Sequence, residues 1–162
     1  MLVRTIVAIA LAYTGLAFAG NAHAWKEVGL KGPGLSRDAQ YSGRVLSREE
    51  LRACVMRRDG LNAAVEQMHE EDVKWTKEAA AIRQLKEEIE LAEPMVDRYD
   101  PEAVGRYNAM IDEAAKRTAA HHEGMKALGA RYYEHKRLRS TFYQQCGARY
   151  YEDDLSALEA VR

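Results

Sequence analysis

The sequence predicts an all-α fold: a long antiparallel two-helix coiled-coil hairpin closed by a disulfide, with a flexible N-terminal arm and a short C-terminal helix. Three observations carry this reading. Apolar residues recur every seven positions from Cys54 to Val96, a turn bounded by Pro94 and Pro101 interrupts the helical pattern, and the only two cysteines, Cys54 and Cys146, stand near the two ends of the patterned region. The composition beyond Leu46, rich in Ala, Glu, Lys, Leu and Arg, favours long helices.

Residues 1–24 read as a cleavable signal peptide. Arg4 supplies a short basic region, an apolar stretch runs from Ile6 through Ala19, and Ala22-His23-Ala24 places small residues where a signal peptidase needs them. The stretch is short for a membrane span, which needs about 20 apolar residues. No cysteine follows it to accept a lipid. The mature chain is expected to begin at Trp25 as one domain of about 138 residues in the periplasm or outside the cell. Arg4 is the only charged residue removed, so the net charge of −1 becomes −2. A chain this close to neutral lacks the basic footprint of a general nucleic-acid binder.

Residues 25–46 contain Gly29, Gly32, Pro33, Gly34 and Gly43 without a sustained apolar period, and read as an extended or flexible arm. The domain proper is expected over 47–162. Leu46, Ser47, Glu50 and Leu51 stand at the N′, N-cap, N3 and N4 positions of a capping box with a hydrophobic staple, so a helix should begin at Arg48. Its seven-residue row of Cys54, Leu61, Met68, Trp75, Ile82, Ile89 and Val96 is apolar throughout. The companion row of Leu51, Arg58, Val65, Asp72, Ala79, Lys86 and Glu93 is mixed, which leaves a narrow coiled-coil seam. Pro94 should stop or kink the helix, expected over about 48–93, near Ala92 or Glu93.

A turn is expected over about 94–100, followed by a helix over 101–146 that opens with Asp100 as N-cap, Pro101 at N1 and Glu102 in the first turn. This helix carries two weaker rows. One is Val104, Ile111, Thr118, Met125, Tyr132, Arg139 and Cys146, and the other is Tyr107, Ala114, His121, Leu128, His135, Phe142 and Arg149. Setting Cys54 opposite Cys146 makes facing positions add to 200, which pairs Met68 with Tyr132, Trp75 with Met125, Ile89 with Ile111 and Leu61 with Arg139. The midpoint of that register falls at Asp100, beside the turn recognised independently. Gly124 and Gly129 flank the level of Trp75, where they either make room for the indole or are tolerated weak spots costing about 1 kcal/mol each. Leu155, Leu158 and Val161 mark a short acid-capped helix over about 153–161.

A two-helix hairpin has no closed core and needs a staple or a partner. In an exported chain the two cysteines read as that staple, with free buried thiols or intermolecular bridges as the alternatives. Leu85, Ala92, Met110 and Leu138 lie beside the seam and widen the apolar face, which points to self-association as a homodimer forming a four-helix bundle.

Signatures of catalysis are missing from the sequence. The Gly29–Gly34 cluster lacks the Lys-Ser/Thr ending of a phosphate loop. Among His69, His121, His122 and His135, a cluster of His69 and His135 with Glu66 is conceivable, but its spacing matches no recognised zinc pattern, and seam or surface histidines are the better reading. Neither enzyme activity, nor a cofactor, nor a metal is expected. Charge is more informative: Arg52, Arg57 and Arg58 on the first helix, and Lys136, Arg137, Arg139 and Arg149 on or just beyond the second, form a basic collar near the disulfide end. Such a collar suits an acidic partner, or is a solvated face with local ion pairs.

Glu50-Leu51-Arg52-Ala53-Cys54, Asp100-Pro101-Glu102-Ala103-Val104 with Tyr107-Asn108, and Cys146-Gly147-Ala148-Arg149-Tyr150-Tyr151 with Asp153-Asp154 give the chain a further character. In these stretches it resembles a group of uncharacterised exported proteins of Gram-negative bacteria. The resemblance implies a long helical hairpin with one cysteine near each end, and brings no activity with it. The expected role is a non-catalytic periplasmic interaction or scaffold protein, with a holdase-like or stress-related chaperone as the alternative.

Overall fold

The structure is a computed structural model describing residues 27–32 and 34–161. Its elements are α1 (Arg48–Ala92), a 3-10 turn (Glu93–Met95), α2 (Pro101–Gln145) and α3 (Glu152–Glu159). The expected signal peptide at 1–24, and the mature start at Trp25, lie outside the described residues. The long helices are antiparallel, and each has 45 residues. At 1.5 Å per residue the rod is about 70 Å long.

Each helix starts where its cap dictates. The Glu50 backbone N–H donates to Ser47 Oγ at 3.2 Å, and the Ser47 N–H donates to Glu50 Oε2 at 2.8 Å, which completes the reciprocal capping box. The staple residues Leu46 and Leu51 are both buried. This capping contact, together with Arg44, holds the Glu50 carboxyl below its ordinary range. Pro94 removes an N–H donor and tightens the chain into the 3-10 turn, ending α1 at Ala92, within the expected bounds. Asp100 Oδ1 then accepts the Glu102 N–H at 2.9 Å and opens α2. That helix ends at Gln145, with Cys146 as its C-cap.

The disulfide joins Cys54 to Cys146 with 5.7 Å between their Cα atoms. Around it lies the larger of two apolar clusters among the described residues, containing Val28, Leu46, Leu51, Val55, Leu61, Phe142 and Tyr150. A second cluster of Val65, Met68 and Leu128, with Trp75 against it, continues along the seam. Towards the turn, burial thins to Ile82 and Ala114 among the described residues. The core is therefore concentrated at the disulfide end, where more than two segments meet.

The register needs one correction. On α1 the fully apolar row faces inward, as its pattern demands. On α2 the buried positions are Ala114, Leu128, His135 and Phe142, which belong to the row containing Tyr107, whereas Ile111 and Met125 of the other row are exposed. His135 Nε2 sits 3.2 Å from the Leu61 carbonyl, and Trp75 stacks edge-on to His121 at 5.9 Å. Leu61 and Trp75 thus meet residues one turn earlier than Arg139 and Met125, the partners set by placing the cysteines face to face. The reason is that Cys146 is the cap of α2, one turn beyond Phe142, whose carbonyl receives its N–H at 2.7 Å. From there the bridge reaches obliquely across the helix end.

Two ion pairs flank the seam: Arg117 forks onto Glu78 through Nε and a terminal nitrogen at 2.7 and 2.9 Å, and Arg131 binds Glu71 through one terminal nitrogen. Arg117 holds the Glu78 carboxyl below its usual range. Gly124 makes the close approach that Trp75 needs, because a Cβ there would fall on the indole ring. At Gly129 a Cβ would meet nothing within 4 Å. Only the first of the two glycines makes room for Trp75.

The segment before α1 is extended, as expected, but it is docked on the hairpin rather than loose. Leu35 bridges to Tyr151 and Val45 to Arg149. The Leu35 N–H donates to the Tyr150 carbonyl at 2.7 Å, the Glu152 N–H to the Leu35 carbonyl at 3.1 Å, and the Leu46 N–H to the Arg149 carbonyl at 2.8 Å. Val28 and Leu35 are buried by this wrap. Gly32, with φ 75°, supplies the left-handed residue at which the arm turns over the base. With Tyr151 held in the Leu35 bridge, α3 starts immediately after it at Glu152 and ends at Glu159, a little before the expected 153–161.

Candidate interaction site

The wrapped arm and α3 cover part of the disulfide end and leave one side of the α1–α2 seam open. There a groove of ≈ 620 Å³ runs between Arg57–Met68 of α1 and Arg131–Gln145 of α2. It exists because Gly60 and Ala64 are small where a helix–helix seam would otherwise be filled, and a Cβ at Gly60 would still meet nothing within 4 Å. Leu61, Met68, Leu138 and Phe142 give it an apolar lining, and Leu138 remains 42% exposed.

Among the polar residues that line the groove His135 is the buried one, and it is satisfied internally. A carbonyl only accepts, so Nε2 carries the proton donated to Leu61. Burial pushes the imidazole below its ordinary range, Arg139 adds to that, and the Leu61 contact partly opposes both. A neutral, hydrogen-bonded imidazole at this position acts as a packing group. His69 is exposed, and among the described residues no group of three His, Cys, Asp or Glu side chains is arranged to hold a metal.

The residues of the basic collar do not gather into one patch. Arg57, at the rim of the groove, reaches across to the Gln145 side-chain oxygen. Arg58 pairs with Asp59 on its own helix at 2.9 Å and ties α1 to Glu159 of α3 at 3.6 Å. Arg137 forks onto Glu134 within its own helix at 2.8 and 2.6 Å. Arg149 is enclosed by the arm, its guanidinium 6.0 Å from the Tyr41 ring. Arg52 lies on a second, smaller cleft between α1 and α3, Lys136 is exposed on α2, and Arg139 is half-buried beside the seam. Most of the collar is thus occupied by intramolecular contacts.

The groove itself was not legible in the pattern of rows. Its signal was the pair of small residues Gly60 and Ala64 one turn apart beside Leu61, but that spacing also fits an ordinary close helix contact. None of the described helices is long and apolar enough to cross a membrane. No family model, no curated protein and no solved structure matches this chain.

Proposed function

We propose that the protein is a non-catalytic periplasmic interaction or scaffold protein, which uses the groove at its disulfide end to receive a helix from a protein partner. The observation that carries this reading is the open apolar groove between α1 and α2, with Leu138 exposed in it. Two helices that leave such a trough present the geometry into which a third amphipathic helix packs. The signal-like segment 1–24 and the pairing of the only two cysteines support an oxidising address outside the cytoplasm.

The test is affinity capture from periplasm with mass spectrometry, comparing the wild-type chain with Leu138→Glu. Partners recovered with the wild type and lost with the variant, while helicity is retained, are the expected result. Equal recovery would remove the groove from the reading. Clear suppression of client aggregation at stoichiometric amounts would favour the holdase instead.

A further inference from the structure

Arg149 is enclosed at the base of the hairpin without an acid to meet it. Arg37 takes Asp153 and Asp154, Arg44 takes Glu50, and Arg58 takes Glu159. Glu152, three residues beyond Arg149, packs against Gly34 instead. Among the described residues no carboxylate stands within ion-pair distance of Arg149, nor of the exposed Lys31. Arg149 Nε is buried and has no hydrogen-bond partner, which leaves Nη1 and Nη2 as the nitrogens that a solute can reach.

The arm builds this enclosure. The buried Tyr150 donates its hydroxyl to the Gly32 carbonyl at 3.3 Å and holds the left-handed turn of the arm on the base. Gly32 then lies so close to the guanidinium that a Cβ on it would stand 2.6 Å from Arg149 Nη1. Lys31, the preceding residue, brings its Cδ to 3.8 Å from where a Gly147 Cβ would stand, so its ammonium reaches the same junction. A guanidinium partly withdrawn from water attracts an anion more strongly than a solvated one, and a buried donor left open calls for a missing ion or water. We propose that Arg149 and Lys31 bind a phosphate group at the junction of arm and base. The guanidinium forks onto two oxygens of the tetrahedral oxyanion, and the ammonium adds a point charge beside them. Because one cation belongs to the base and the other to the arm, the bound group stabilises the docked arm.

Inorganic phosphate and the headgroup of an anionic phospholipid both carry this group, and the test separates them. The oxidised chain from residue 25 onward is titrated with sodium phosphate, and with sodium chloride at matched ionic strength, while thermal unfolding is followed. Phosphate should raise the melting temperature saturably, and chloride should not. Lys31→Ala, an exposed change, and Arg149→Lys, which keeps the charge but loses the fork, should each raise the half-saturating phosphate concentration about tenfold or more. Arg149→Met should abolish the response, and in phosphate-free buffer should unfold no earlier than the wild type, because an apolar chain replaces an unpaired charge. Loss of binding is thereby kept distinct from loss of fold. Co-sedimentation with phosphatidylglycerol vesicles, but not with phosphatidylcholine vesicles, that Arg149→Met loses assigns the group to a lipid headgroup; a phosphate response without co-sedimentation assigns it to free phosphate. Equal shifts in phosphate and chloride with no vesicle binding, or responses that survive unchanged in Lys31→Ala and Arg149→Met, would overturn the proposal.

Discussion

The carboxamide of Asn62 grips the backbone of Val28 at both of its polar groups: the Val28 N–H donates to Oδ1 at 2.7 Å, and Nδ2 donates to the Val28 carbonyl at 3.1 Å. A side chain on α1 thereby acts as the β-partner that an extended segment would otherwise lack. Val28 is 2% exposed, so water cannot take over both bonds without lifting the arm. Asn62→Ala is therefore expected to destabilise the protein by about 1–3 kcal/mol, the cost of leaving buried backbone groups unpaired. Asn62→Asp keeps the acceptor but sets a carboxylate against the Val28 carbonyl, and should do no better. Thermal unfolding measures the loss, and faster proteolysis between residues 27 and 46 localises it to the arm.

The bridge should matter to stability as a unit. Cys54→Ser and Cys146→Ser are expected to lower thermal stability alike, with the double variant little worse than either, because both remove one cross-link. For a bridge spanning 92 residues, chain entropy sets an upper value of about 4–5 kcal/mol. Near-full reaction of both native cysteines with a maleimide, in the absence of reductant, would contradict the pairing.

Gly124 and Trp75 should show a reversal of sign. Gly124→Ala adds a methyl group on the indole, and overpacking of that kind costs about 1–3 kcal/mol, more than the gain of about 1 kcal/mol in helix propensity. In a Trp75→Ala background the obstruction is gone, and the same substitution should stabilise. A double-mutant cycle followed by chemical denaturation checks this; additive effects would show that the two residues are not coupled.

His135 should make the protein acid-sensitive. Its folded pKa is lowered from 6.5, first by burial and then by Arg139, so the unfolded chain binds the proton more readily. Its contribution is complete above about pH 6.5, the unfolded value, and is lost as the pH falls through the lower folded value. Replacing it by Gln keeps an N–H donor for the Leu61 carbonyl but no titrating group. His135→Gln should flatten the decline in melting temperature just below pH 6.5; an unchanged decline would place the acid sensitivity elsewhere.

The local elements were written in the sequence because their causes are local. Ser47 and Glu50 start α1, Pro94 ends it, Asp100 and Pro101 start α2, and one uninterrupted apolar row selects the inward face of α1. The cysteines also identified each other, as the only pair available and at the same end of the hairpin. Tertiary packing alone decided which row of α2 is buried. Each row mixes apolar and polar residues, and the choice turns on whether Leu128 and Phe142 or Met125 and Ile111 lose more surface when the whole seam closes. It also decided that a glycine-rich arm is docked. The partners of Val28 and Leu35 lie at Asn62, Tyr150 and Glu152, and no local rule connects such distant groups before the chain has folded. The open groove has the same origin, since Gly60 and Ala64 are ordinary small residues until α2 passes over them and α3 settles on another side.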